Sequence, residues 1–164
     1  YQVILGLSVE QPGLQVVFPP ELVASAKQVW MASVASAESS KLHLRVSAAL
    51  TKLGMPHDNE VEVGGVSCDL FIRSDPRAAG LKTDSKPGVV IEVDGPSHFC
   101  RNLRRRLLGP TVFKRRLLAA QNVSLVVVPH FEWRGLSPQQ QLDYLTDKLD
   151  CDTLPGSSGS AVLS

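Results

Sequence analysis

The apolar positions of this chain change period several times, and each change marks an element. Leu42, Val46, Ala49, Leu50 and Leu53 recur at i, i+4, i+7, i+8 and i+11, the stripe of a helix with one buried face. Ser39 or Ser40 supplies its N-cap, Gly54 closes it and Pro56 prevents its return. From Glu60 to Val63 the pattern alternates, Gly64-Gly65 reads as a hairpin turn, and Val66–Arg73 is a second strand. Cys68, Leu70 and Ile72 would take one face of that strand and Asp69 the other. Residues 74–88 are polar and rich in breakers, a flexible loop. Val89–Asp94 is a third strand, and its near-continuous apolar run suits a central position covered on both faces. Thr111 caps a helix that reaches about Gln121, and Ser124–Val128 is a fourth strand. Pro129–Arg134 leaves the sheet. Ser137 caps a last helix, with Pro138 in its first turn and Leu142, Leu145 and Leu149 facing inward.

Upstream of these elements, Pro19-Pro20-Glu21 opens a helix that runs to about Met31. Ala32–Ser40 is either helix or linker, and the residues before Val17 are apolar without an assignable period. The Gly/Ser-rich tail after Cys151 reads as disordered. The order helix, helix, hairpin, strand, helix, strand, helix predicts an α/β fold: a mixed sheet of about four strands flanked by helices. Strands three and four, joined by a helix, should be parallel with a right-handed crossover. Three segments follow: an N-terminal helical extension over 1–38, the folded domain over 39–150, and the tail over 151–164.

Composition narrows the class. A chain of 164 residues with 43% apolar and 20% charged residues has the make-up of one globular domain. No run approaches the ~20 apolar residues of a membrane span, so a membrane is not an expected partner. The start has no basic segment or apolar h-region, and without Met it is expected to be part of a longer chain. Cys68, Cys100 and Cys151 lack metal-like spacing and read as ordinary thiols in a reducing compartment.

Charge changes the picture more. The net charge is +1, yet no acid lies between Gly95 and Phe131, a window holding seven bases. These are Arg101, Arg104, Arg105, Arg106, Lys114, Arg115 and Arg116. A local cationic field attracts polyanions even when the whole protein is near neutral. His98, Phe99, Phe113, His130, Phe131 and Trp133 flank the run and could stack on unpaired bases, although Phe113, beside Leu117, suits packing. His43 and His57 have no visible partners and read as solvent-facing or structural.

Glu92 and Asp94 share strand parity, so both point to one face, ~6.6 Å apart along the strand. Asp69 reaches the same face if strands two and three are neighbours. Three converging carboxylates must be protonated, paired with bases, or bound to a cation. Two readings stay open: Arg or Lys from the basic helix pairs with the acids, or a hard ion such as Mg²⁺ takes their oxygens.

The residues that carry the acids also carry a resemblance. Asp69 followed by Glu92-Val93-Asp94 on adjacent strands resembles the PD-(D/E)xK restriction-endonuclease-like fold. Ile91-Glu92-Val93-Asp94-Gly95-Pro96-Ser97-His98-Phe99, then Leu108-Gly109-Pro110-Thr111 with Lys114-Arg115-Arg116-Leu117-Leu118, then Val127-Val128-Pro129 with Phe131-Glu132-Trp133, is similar to a RAP domain. The likeness spans about Ser40 to Leu149. It implies a restriction-endonuclease-like sheet and single-stranded RNA as partner. It also implies a mitochondrion or chloroplast as address, with a helical-repeat region in the same full-length chain. In the nuclease version, Asp69, Glu92 and Asp94 would hold Mg²⁺ or Mn²⁺, with Lys114 or His98 assisting water attack on phosphate. Departures from the nuclease pattern are plain: Cys68 stands before Asp69 where Pro is usual, and Asp94 occupies the place of the customary Lys. The rivals are a binding-only module whose acids pair with Arg115 or Arg116, and a docking domain whose basic stretch meets an acidic protein.

Overall fold

The computed structural model describes residues 1–11, 18–35, 40–74, 87–103 and 105–153. Four strands form one sheet in the order β1 (Asp58–Val63), β2 (Val66–Arg73), β3 (Gly88–Asp94), β4 (Ser124–Pro129). β1–β2 and β2–β3 pair antiparallel, and β3–β4 pair parallel. Gly64 and Gly65 both sit at positive φ in the β1–β2 turn, the backbone a two-residue hairpin requires. The expected loop 74–88 falls mostly outside the described residues, as do residues 36–39 and the tail after Thr153.

The helices are α1 (Gln2–Glu10), α2 (Pro20–Ala35), α3 (Lys41–Lys52), α4 (Gly109–Ala119), α5 (His130–Trp133) and α6 (Pro138–Thr153). Ser40 caps α3, its side chain accepting from the His43 N–H at 3.1 Å. At the start of α6, Ser137 Oγ accepts from Gln140 N at 3.4 Å while Gln140 Oε1 accepts from Ser137 N at 2.9 Å, a reciprocal capping box. α4 begins at Gly109, two residues before the expected Thr111 cap, with Leu108 in the capping position. Pro110 accounts for the early start: its fixed φ suits a first turn, where its missing N–H costs nothing.

Two cores sandwich the sheet. Val46, Leu50, Ile91, Val126, Trp133 and Leu145 fill the side under α3 and α6. Val66, Cys68, Phe71, Val90, Leu117 and Leu118 fill the side under α4. β3 is central and buried along almost its whole length, as its apolar run demands. The aperiodic start is helical: Leu5 and Val9 of α1 pack on the second core, and Gly6 lies against the Phe113 ring of α4. A Cβ at Gly6 would meet Phe113 Cζ at 2.4 Å, so only glycine admits this approach without a shift. α2 leaves Leu22, Val29 and Met31 exposed.

The strict alternation expected along β2 fails at one place. Cys68 packs in the α4-side core, whereas Leu70 and Ile72 pack on the opposite side. The face changes at Asp69. The β1–β2 register skips Glu60 and Asp69, and Glu60 has φ +53. The β2–β3 register stops at Leu70↔Ile91, one pair short of Asp69 and Glu92. An irregularity of this kind re-aims side chains, here beside the acids.

Candidate nucleic-acid interface

The break in the ladder at Asp69 gives two of the acids a backbone role. Val93 N donates to Asp69 Oδ2 at 2.7 Å, and Asp69 N donates to Glu92 Oε1 at 3.3 Å. The side chains of Asp69 and Glu92 thus stand in for carbonyls where β2 and β3 separate. Buried N–H groups must find acceptors, and a carboxylate between two strands supplies one to each.

Glu92 and Asp94 share the face of β3 that looks toward α4, opposite Ile91 and Val93. Two consecutive residues of α4 bring bases to them. Lys114 Nζ lies 2.6 Å from Glu92 Oε2, and Arg115 pairs with Asp94 Oδ2. From the 3₁₀ turn Pro96–His98, His98 Nδ1 comes to 3.1 Å from Asp94 Oδ1. That contact lacks the alignment of a directional hydrogen bond, and Asp94 Oδ1 and Arg115 Nε are both buried without hydrogen-bond partners. Glu92 is 2% exposed and Asp94 fully buried.

The two carboxyls respond oppositely. Burial pushes Glu92 up to about 7, with Asp69 adding to the rise and Lys114 opposing it. Burial also pushes Asp94 up, but His98 and the Arg115 guanidinium outweigh it and hold that carboxyl below its ordinary value. His98 is raised in turn by its contact with Asp94, against the pull of its own burial. Cys68 is pushed up to about 12, first by burial and then by the charge of Glu92, so it is an inert thiol that donates to Val61 O at 3.1 Å.

As arranged, the acids do not suit a divalent ion. Among the described residues, no three His, Cys, Asp or Glu side chains gather as a metal would need. Most of the oxygens that would ligate are already engaged: Glu92 Oε2 by Lys114 and Oε1 by Asp69 N, Asp69 Oδ2 by Val93 N, and Asp94 Oδ2 by Arg115, with His98 beside Asp94 Oδ1. Mg²⁺ would have to displace a lysine and a guanidinium from buried partners.

The seven bases divide by location. Lys114 and Arg115 serve the buried acids, and Arg116 pairs with Glu10 of α1, away from them. Arg101, Arg105 and Arg106 lie instead on a small hairpin between the 3₁₀ turn and α4; Arg104 falls outside the described residues. An antiparallel bridge between Phe99 and Leu107 closes this hairpin, with Cys100 N donating to Arg106 O at 2.8 Å and Leu108 N to His98 O at 2.9 Å. All three arginines are exposed, and none has an acid within ion-pair distance among the described residues.

The aromatic types flanking the run separate as well. Trp133 is core, at 2% exposure, and Phe113 packs against the second core. Phe99, His130 and Phe131 form a three-ring cluster, with centroids 5.3–5.5 Å apart, beside the hairpin. His43 and His57 are structural: His43 Nε2 contacts Asn59 Oδ1 at 2.9 Å, and His57 bridges Ser47 Oγ and Met55 O. Glu10, the partner of Arg116, had no signal in the sequence because α1 itself showed no period.

Residues 91–148 match the family model of the RAP domain. The chain carries a RAP domain. It is also 35% identical over 115 residues to a "RAP domain-containing protein, chloroplastic" of Oryza sativa subsp. japonica. That alignment covers 70% of this chain and 16% of the rice protein, so the chain spans less than a fifth of that relative's length. The RAP match begins at Ile91 and takes in Glu92, Asp94, His98, the arginine hairpin, α4 and the aromatic cluster. Asp69 lies outside it. The paired acids of β3 and their α4 bases are therefore inside the RAP segment, whereas the third carboxylate belongs to the preceding hairpin.

Proposed function

We propose that this RAP domain binds RNA as part of an organellar RNA-processing protein, with the 99–107 hairpin as its contact surface. One observation carries the reading: the basic run divides into bases consumed by acids and bases left for a partner. Lys114 and Arg115 neutralise buried carboxylates, and Arg116 meets Glu10. Arg101, Arg105 and Arg106 are exposed, close in sequence and without an ion pair among the described residues, although Glu132 lies near enough to feel the charge of Arg105. Such a cluster is an electrostatic footprint for a phosphodiester chain. The chloroplastic description of the rice relative supports an organelle, and that relative's greater length leaves room for the helical-repeat region that the RAP resemblance implies in the full-length chain.

The test is a salt titration of single-stranded RNA binding. Arg101→Gln with Arg106→Gln should weaken affinity and reduce the salt slope by roughly 1.4, at about 0.7 per lost phosphate contact on single strands. An unchanged affinity and slope refute the reading. Metal-dependent endoribonuclease activity through Asp69, Glu92 and Asp94 is the rival, and the same preparations separate it. RNA cleavage with Mg²⁺ or Mn²⁺ that stops with chelator, and stops in Glu92→Ala while binding persists, would replace the binding-only reading.

A further inference from the structure

Arg105 has an unusual conformation for its residue type. Its φ is +71, in the left-handed region that side-chain-bearing residues other than Asn and Asp rarely adopt. Glycine would relieve the turn, yet the position holds the bulkiest of cations. Its side chain is not idle: the guanidinium carbon stands 5.0 Å from the centroid of the Phe131 ring. Phe131 is itself held edge-on by Phe99 and His130, at 5.3 and 5.4 Å. The Phe99↔Leu107 bridge and the Arg106 N–Leu103 O bond at 3.1 Å fix the loop that carries Arg105. A costly backbone conformation kept by surrounding structure is a signature of functional placement.

We propose that Arg105, held over Phe131, is a stacking seat for one unpaired nucleobase of single-stranded RNA. The Phe131 ring lies against the guanidinium, Glu132 is near enough to feel its charge, and the residue is exposed, so a flat partner can reach it from solvent. Guanidinium planes and aromatic rings are the surfaces on which splayed bases stack. Leu103, 47% exposed on the same hairpin, adds apolar surface, and the exposed Arg101 and Arg106 supply positive charge for the flanking phosphates. A seat of this type takes a base from a single strand and has no use for a base inside a duplex. This inference rests on the RNA-binding reading and deepens it, from charge attraction to recognition of unpaired bases.

The test compares Arg105→Lys, which keeps the charge and removes the plane, with wild type on two oligoribonucleotides of equal length, one fully based and one abasic. Phe131→Leu, which removes the ring beneath the guanidinium but keeps an apolar side chain, is the second variant. Both should lower affinity for the based oligomer about 10-fold, within the range for one stacked base, and leave affinity for the abasic oligomer and the salt slope unchanged. Equal binding of Arg105→Lys and wild type to the based oligomer, or an equal loss on both oligomers, overturns the seat. Weakening on both oligomers by Arg101→Gln with Arg106→Gln, without any effect of Arg105→Lys, overturns the seat and leaves RNA binding standing. Absence of binding by the wild-type chain to either oligomer overturns both.

Discussion

Replacing Glu92 with Gln should make the protein less sensitive to alkaline pH. Glu92 is 2% exposed, and burial lifts its carboxyl from 4.5 to about 7 even with Lys114 at 2.6 Å. A folded-state value above the unfolded one means that the native protein binds the extra proton. The associated stability is therefore full below about pH 4.5 and is lost as pH rises through about 7. At roughly 1.4 kcal/mol per pH unit, that rise amounts to on the order of 3 kcal/mol, most of it lost between pH 5 and 8. His98, raised by Asp94, adds a loss of the same sign as pH climbs through its own value. Asp94 is lowered, so its contribution fades only in acid, outside this window. Glu92→Gln removes the first contribution and keeps an amide oxygen for Asp69 N. Urea unfolding followed by the fluorescence of buried Trp133, at pH 5 and pH 8, measures it. The wild-type midpoint should fall by roughly 1 M or more between the two, given m-values of about 1–3 kcal/mol/M, and the Gln variant should lose most of that fall. A wild-type midpoint that holds or rises toward pH 8, or a Gln variant with the wild-type slope, would refute the argument.

Asp94→Asn leaves Arg115 facing a neutral amide in a buried site; it should destabilise by about 3–5 kcal/mol and return the His98 titration toward 6.5, read by imidazole proton NMR. Ser40→Ala removes the acceptor for His43 N at the head of α3 and should cost about 1 kcal/mol, visible as a lower thermal midpoint.

Local chemistry made much of this fold legible. The Leu42–Leu53 stripe, the Gly64-Gly65 turn, the β2 span and the Ser137-Pro138 start of α6 all appear where short-range pattern put them, because period, cap and turn residues act within a few positions. The parity of Glu92 and Asp94 likewise predicted their shared face. Asp69 shows the limit. Regular alternation would have kept Cys68 beside Leu70, but Glu60 on the neighbouring strand twists into positive φ and the faces exchange there. No property of residues 66–73 alone announces that event. α1 was illegible for a different reason: its helix is apolar on more than one side, and a notch at Gly6 for the Phe113 ring, rather than a periodic stripe, marks where it docks.

By itself the sequence determined the four-stranded mixed sheet, the central place of β3 and the concentration of cations between Gly95 and Phe131. These depend on residue type and spacing, which the chain carries at every stage of folding. Only the tertiary structure decided which cation answers which acid. Lys114 and Arg115 meet Glu92 and Asp94 because α4 crosses that face of β3, Arg116 turns one position further to Glu10, and the hairpin arginines are left to solvent. Charge in a linear sequence has sign but no direction, and direction is what separates a neutralised core from a surface that can hold RNA.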